Sequence, residues 1–464
     1  MLCQQCEVCS VLSLQRTSRL ALSTWYIALP ANKDIIAVSY SLLNYNFVLN
    51  GLNWSTAVDL PQKPRHRWYF VKEAFSPILV EQAMQSTGCD EEDIFLDPFC
   101  GSGTSLLAAA CKGVSTIGFE VNPFLAFVTR TKFCAIGGRT LKKHALPVRK
   151  AVERGSKSSL EGFSTFTESG DLQKWLFNTD VVRSFEGGWR KTTEIPAPAR
   201  SLMRLALIGA AMDCCNAIQD GKCLRYRKDW AKEDFDKNDF LDRFDARLRQ
   251  MEEDLDSEKL SSSANTVIQG DCREKLQTRE FGEFKLCVTS PPYLNSFDYS
   301  DIYRPEMFLG KFVNDTAALR AVRLRTIRSH VQASWKQPTE DDFGPLYLNS
   351  MASLLDRKEE LWDRRIPTMV QAYFEDMRTV LRRLRKRAAN NAHLWIIVST
   401  SAYGGVEIPV DLIIADIAGT VGWALKEIGV IRHLRSSGQH FRTIEGDNKT
   451  LLRLRESAVV LTAS

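Results

Sequence analysis

The sequence predicts an α/β fold, strands alternating with helices, interrupted by a mainly helical insertion. Three observations predict it. A strand, a glycine-rich loop, a helix and a second strand follow one another over residues 94–120; short apolar runs of buried-strand type recur at 284–289, 393–398 and 457–461; and between about Arg139 and Lys259 this rhythm gives way to helical periodicity with mixed charge. The chain therefore divides into an N-terminal extension (1–60), a first part of the α/β domain (61–138), a helical insertion (139–260) and the remainder of the α/β domain (261–464).

Composition fits this division. The 464 residues, 44% hydrophobic and 25% charged, suffice for one extended domain with a substantial insertion. The net charge of +5 permits a nucleic-acid partner without requiring one, so local clustering must carry that argument. Twelve cysteines scattered through apolar and helical segments favour reduced thiols, as in a cytosol. The first residues lack a positive start followed by an apolar run and a small-residue cleavage site, so no secretory leader is expected. The uncharged stretch 35–58 is broken by Ser39, Ser41, Asn44, Asn46, Asn50, Asn53 and Ser55, which is unlike a lipid-facing helix. Cys3, Cys6 and Cys9 lack a nearby fourth ligand for structural zinc and are read as part of an incidental tail.

Each element has local cause. Ser76 is placed to cap a helix that begins at Pro77 and continues through Ile78 to Gln85. Ile94-Phe95-Leu96 reads as a strand, Ser105 to Cys111 as a helix, and Ser115 to Phe119 as the next strand, ending at Glu120: a βαβ unit. In the insertion, Phe240, Phe244, Leu248, Met251 and Leu255 recur at helical spacing with charges on the other faces. The α/β pattern resumes at Thr266-Val267-Ile268-Gln269-Gly270-Asp271, so the insertion splits the first half of the sheet.

Two motifs carry the chemistry. In Asp97-Pro98-Phe99-Cys100-Gly101-Ser102-Gly103-Thr104, the glycine spacing after a strand lets the backbone approach a ligand, with a helix N-terminus behind it. There is no Gly-Lys-Ser/Thr ending, and the acidic Asp97 would repel a pyrophosphate; it suits the charged amino-acid end of S-adenosylmethionine. Glu120, at the tip of the next strand, is positioned to accept from ribose hydroxyls, and Asp271 from an adenine amino group. Thr289-Ser290-Pro291-Pro292-Tyr293 follows an apolar strand, at the edge where α/β proteins place ligands. Its consecutive prolines fix the Ser290 hydroxyl and the intervening carbonyl in set directions, where both can accept from an NH2 group and localise its lone pair. Tyr293 offers a face to stack on a base swung out of its helix.

With these motifs the chain resembles the DNA amino-methyltransferases of restriction-modification systems, the N4-cytosine and N6-adenine family, from about Arg65 to the C-terminus. The resemblance implies a Rossmann-like α/β methyltransferase using S-adenosylmethionine. Asp97, Gly101 and Gly103 match its cofactor motif, with Phe99 and Thr104 alongside; the Phe75-Ser76-Pro77 segment is similar to the element lining the methionine end; and Ser290, Pro291, Pro292 and Tyr293 resemble its catalytic tetrapeptide. Ser in the first position implies cytosine N4 rather than adenine N6. Ser401-Ala402-Tyr403-Gly404-Gly405 resembles a loop shaping the target-base pocket. No metal is expected, because the methyl donor is already activated as a sulfonium. The partner implied is double-stranded DNA, with a cognate restriction endonuclease acting separately, no membrane, and a prokaryotic cytoplasm as location.

For DNA contact, the basic and aromatic run around Lys222, Arg225 and Arg227 suits phosphates and stacking, and Arg320, Arg323, Arg325, Arg328 and His330 form a second cluster after the catalytic loop. Cytosine C5 methylation is disfavoured by the absence of a Pro-Cys pair. An N6-adenine enzyme, an RNA guanine-N2 methyltransferase and a catalytically inactive DNA-binding specificity subunit remain alternatives.

Overall fold

The computed structural model describes residues 41–45, 47, 54–69, 71–220, 223–232, 234–260, 263–434 and 454–463; Cys3, Cys6, Cys9 and Lys222 lie outside them. The first half comprises β1 (Leu43–Asn44), α1 (Pro77–Thr87), β2 (Ile94–Asp97), α2 (Thr104–Ala110), β3 (Ser115–Glu120) and α3 (Pro123–Lys132). Then come α4 (Gly138–Arg154), α5 (Thr179–Lys191), α6 (Ala197–Asp213), β4 (Ala217–Asp220), β5 (Cys223–Tyr226) and α7 (Lys237–Ser257). The second half begins with β6 (Asn265–Gln269), α8 (Cys272–Thr278), β7 (Phe284–Thr289), α9 (Tyr299–Ile302), α10 (Arg304–Leu309) and α11 (Thr316–Arg323). It closes with α12 (Pro345–Asp356), α13 (Ile366–Arg385), β8 (Ala388–Ser399), β9 (Ser401–Tyr403), β10 (Val406–Ile408), α14 (Val410–Thr420), β11 (Trp423–His433) and β12 (Arg455–Ala463).

Eight strands form one sheet in the order β1-β11-β12-β8-β7-β2-β3-β6, with β12 antiparallel to both its neighbours and the other pairs parallel. This is the α/β fold expected. β6, reached only after the insertion, pairs with β3 at the sheet edge, so the first half of the sheet is indeed split. Because side chains alternate along a strand, Leu286 and Val288 of β7 pack on one face with Leu79, Val80 and Leu106, while Cys287 packs on the other with Tyr373, Phe374 and Ile413.

Caps set the helix starts. Ser76 Oγ accepts from Ile78 N at 3.2 Å ahead of Pro77, and α1 ends on left-handed Gly88, φ 64°. Asn122 Oδ1 caps α3 through Phe124 N at 3.0 Å, and Asp236 and Asp239 form a reciprocal capping box on α7.

The helical region has its own core, and its composition differs from the expected boundary. Phe240, Phe244 and Leu248 of α7 pack with Phe185, Leu205 and Ile208, but also with Phe297, Tyr303, Met307 and Phe308, which follow the catalytic loop in sequence. The helical core therefore draws on chain both before residue 139, through Trp68, Tyr69 and Phe124, and after residue 260. It also carries the β4–β5 hairpin. No helix among the described residues is long and apolar enough to cross a membrane.

Glu306 lies fully buried in this core, its Oε1 accepting from Tyr69 OH at 2.5 Å and Gln219 Nε2 at 3.0 Å, with no partner for Oε2. Burial raises its pKa to about 7. A carboxyl raised on folding stabilises the protein as the neutral acid below its unfolded pKa, and that contribution is lost as pH rises through about 7. Glu306→Gln, which cannot ionise, is expected to gain about 1–3 kcal/mol on the wild type in denaturant-unfolding free energy between pH 5 and pH 8. A difference independent of pH contradicts this.

Candidate active site

The sheet order brings the two motifs side by side, since β2 pairs with β7 through Phe95–Leu286 and Leu96–Cys287. The loops leaving these strands open into one cavity of about 420 Å³. Phe75, Asp97, Phe99, Gly101, Thr104, Glu120, Asp271, Ser290, Pro291, Pro292, Tyr293 and Arg325 all line it.

The glycine loop is held from behind. Cys100 N donates to Phe119 O at 3.0 Å, Thr129 Oγ1 to Gly101 O at 2.7 Å, and Lys132 Nζ to Ser102 O at 2.9 Å. Burial of Lys132 lowers its pKa to about 7. Gly103, at φ 83°, leaves no room for a side chain: a Cβ there would stand 2.6 Å from Thr129 Cγ2. Gly103 thus shapes the loop from outside the cavity wall.

Asp97 carries a structural task beside the one expected of it. Its Oδ1 accepts from Phe99 N at 2.9 Å and Thr289 Oγ1 at 2.6 Å, while Oδ2 accepts from Ser105 Oγ. At 2% exposure it ties loop, helix and catalytic strand together, and Oδ2, with one bond, keeps acceptor capacity at the cavity wall. Burial raises its pKa to about 6 against these hydrogen bonds.

Glu120 accepts from Asn122 N at 2.7 Å and Gly101 N at 2.9 Å, one bond to each oxygen, leaving acceptor capacity on both. Its pKa is pushed up to about 7 by burial. Asp271 caps α8 through Arg273 N at 2.8 Å and is forked by the Arg273 guanidinium, which also bonds Asp376. Its carboxylate reaches the cavity already paired.

Ser76 does not reach the cavity: beyond capping α1, its hydroxyl donates to Asp59 Oδ2 at 2.8 Å. Phe75 alone represents that segment. Ser401 Oγ and Tyr403 OH, the latter at 2.9 Å, both donate to Leu294 O; they pin the catalytic loop from behind and do not line the cavity.

The catalytic loop has a support that the motif did not reveal. Tyr293 OH donates to Glu456 Oε1 at 2.5 Å, and Arg432 Nε donates to Glu456 Oε2 at 2.6 Å. Glu456 is 2% exposed. This chain from β11 through β12 fixes the Tyr293 ring. An Arg455-Glu456 pair directly ahead of the apolar run of β12 is the signal the sequence offers. Ser102 Oγ, Thr104 Oγ1 and Asn122 Nδ2 also line the cavity, buried and without partners.

The basic clusters separate. Arg325 is exposed at the cavity rim, and Arg225 is exposed on β5, paired with Asp220 at 2.8 Å. Arg328 is instead buried, forked by Asp376 and paired with Glu375, and Arg227 donates to Cys215 O and Asp213 O at a helix end. Both are corrections: guanidinium groups that satisfy internal carboxylates and carbonyls serve the fold and not a phosphate.

Fold and cavity together define a methyltransferase. Residues 64–161 match the UPF0020 family (RMKL-like, methyltransferase domain). Its homologues are type II methyltransferases: M.AvaI of Nostoc sp. is 25% identical over 410 residues, covering 80% of this chain and 81% of that protein. M.BsoBI of Geobacillus stearothermophilus is 23% identical over 419 residues, 77% and 78% of the two chains. M.MjaII of Methanocaldococcus jannaschii is 32% identical over 112 residues, 23% of this chain and 21% of that protein. Among solved structures, the rRNA methyltransferase aviRa from Streptomyces viridochromogenes aligns over 89% of this chain and 91% of its own at 10% identity, with a TM-score of 0.29, too loose to bear on function.

The methyl donor is S-adenosylmethionine. The cavity suits it: orphaned buried polar atoms of Ser102, Thr104 and Asn122, the aromatic faces of Phe75 and Phe99, and the Glu120 carboxylate meet a ligand that is both polar and apolar. A Glu120 that accepts from the hydroxyls of a bound nucleoside predicts cofactor affinity that rises as pH passes about 7, toward the ionised carboxylate. Glu120→Gln should weaken affinity about 10-fold and abolish that rise, while Glu456→Gln leaves affinity unchanged, as read by titration calorimetry. Equal losses in the two variants contradict the division of the cavity.

Proposed function

We propose that the chain methylates the exocyclic N4 amine of cytosine at a specific sequence in duplex DNA, as the modification half of a prokaryotic restriction-modification system. The observation that carries the reading is the shared cavity: the Ser290–Tyr293 loop and the glycine loop wall the same space, 192 residues apart in sequence and joined by the Thr289–Asp97 hydrogen bond. A donor pocket adjoining two acceptors for amine hydrogens suits transfer to an NH2 group. Type II methyltransferases as homologues support DNA as the substrate class.

S-adenosylmethionine supplies a methyl group activated on a sulfonium centre. Ser290 and a main-chain carbonyl of the Pro291-Pro292 turn accept the hydrogens of the amine, which draws its lone pair out of conjugation. Tyr293, braced by Glu456 and Arg432, gives a fixed face on which a base turned out of the duplex stacks. Arg325 at the rim and Arg225 on the hairpin are exposed cations available for phosphate contact, with Lys222 a further candidate. No separate catalytic base is assigned; the proton released after transfer goes to solvent.

Tritiated methyl from the cofactor should appear in duplex DNA and be recovered as N4-methylcytosine on nucleoside analysis. Ser290→Ala should lower the single-turnover rate about 100-fold while DNA binding persists, which separates an enzyme from a DNA-binding specificity subunit. Label recovered as N6-methyladenine, or only in RNA guanine, overturns the cytosine assignment.

A further inference from the structure

His330 belongs by sequence to a basic cluster, yet the structure takes it out of solvent. It is 1% exposed and lines the same cavity as Ser290 and Tyr293. A ring so buried cannot meet a phosphate on a duplex surface. The ring nitrogens are poorly satisfied: Nε2 stands 3.9 Å from Asp298 Oδ1, and Gln332, whose amide donates to Ser296 O at 3.5 Å, gives the ring at most a weak side-chain contact.

Its surroundings hold the ring neutral and in place. The Asp298 carboxylate is already used by Ser300 N at 2.9 Å, Ser300 Oγ at 2.6 Å and the Arg323 guanidinium at 2.7 Å. Burial, with the Arg323 charge nearby, lowers the imidazole's pKa and outweighs Asp298. A neutral imidazole offers one donor and one acceptor. Trp335 packs edge-on at 5.0 Å and donates its Nε1 hydrogen to His330 O at 2.9 Å. Ser329 O, one residue earlier, accepts from Ser296 N at 3.0 Å, so the His330 segment is registered against the catalytic loop. A buried polar group left unbonded is costly, and a ligand that supplies the missing partner recovers that cost.

We propose that His330 is a specificity-determining residue for the target base, donating its N–H to the ring nitrogen beside the exocyclic amine. Cytosine presents that edge, an amine next to an acceptor nitrogen, as does adenine, whereas guanine, with a hydrogen on the ring nitrogen beside its amine, does not. With Ser290 accepting from the amine, the two residues read adjacent positions of one base edge. A base with a protonated ring nitrogen there meets a donor facing a donor. The inference rests on the cytosine-methylation reading above.

The test uses full-length protein and a duplex carrying its site, located by methylation-aware sequencing. Single-turnover rates are measured for wild type, His330→Ala and His330→Phe on cytosine and on 3-deazacytosine, in which the ring N3 is replaced by C–H. Cofactor binding by calorimetry verifies that each variant is folded, and the phenylalanine variant retains bulk should alanine disturb the wall. On cytosine both variants should lose about 10- to 100-fold in rate. The penalty for the deaza base should shrink by about that factor relative to wild type, because the lost partner is already absent. An equal deaza penalty in wild type and both variants overturns the role of His330 while leaving cytosine methylation standing. Wild-type protein that transfers no methyl to cytosine overturns the underlying reading and this inference with it.

Discussion

A single buried hydrogen bond, 2.6 Å from Thr289 Oγ1 to Asp97 Oδ1, joins parts of the chain 192 residues apart. Asp97 ends the strand that feeds the glycine loop, and Thr289 ends the strand that feeds the catalytic loop. The parallel pairing of β2 with β7 brings these ends together, but pairing alone does not set the direction in which each loop leaves. The bond does, aided by Phe99 N and Ser105 Oγ on the same carboxylate. A hydrogen bond to a charged, buried acceptor contributes on the order of 1.5–3 kcal/mol. Its larger consequence is geometric, since a donor and an acceptor group must be held within a fraction of an ångström for transfer.

The surrounding supports repeat this logic. Thr129 and Lys132 brace the glycine loop from α3, Ser401 and Tyr403 brace the catalytic loop through Leu294 O, and Glu456 with Arg432 brace Tyr293. Three ionisable groups, Asp97, Glu120 and Lys132, are buried here with their pKa values drawn toward neutrality. Burying them opposes ionisation, and the hydrogen bonds each makes offset part of that cost. Two loops that the backbone would otherwise leave mobile are thereby fixed against one another.

What the sequence revealed depended on range. The βαβ unit over 94–120, the β7 strand and the Ser76 cap rest on neighbours within a few residues, so patterning and propensity predict them, and the structure has them. Partners distant in sequence were not legible. Arg328 in an arginine-rich run looks like a phosphate contact, and only the fold brings Asp376 and Glu375 to it from α13. Arg227 loses its surface role to carbonyls at the end of α6 in the same way. Likewise the contribution of Phe297, Tyr303 and Phe308 to the helical core follows from tertiary packing, since their sequence position lies beside the catalytic loop. Asp97 was recognised by its place in the motif, while its engagement by Thr289 required the strand order. His330 shows the same limit, a basic residue by composition that packing converts into a buried, neutral ring.

The central claim, that the Thr289–Asp97 bond sets the two loops for transfer, is tested most directly by the single-turnover methyl-transfer rate of Thr289→Val beside Thr289→Ser. Valine keeps the shape and removes the hydroxyl; serine keeps the hydroxyl. The valine variant should fall about 10- to 100-fold with cofactor affinity preserved, and the serine variant should stay near wild type. A valine variant that transfers methyl at the wild-type rate contradicts the account.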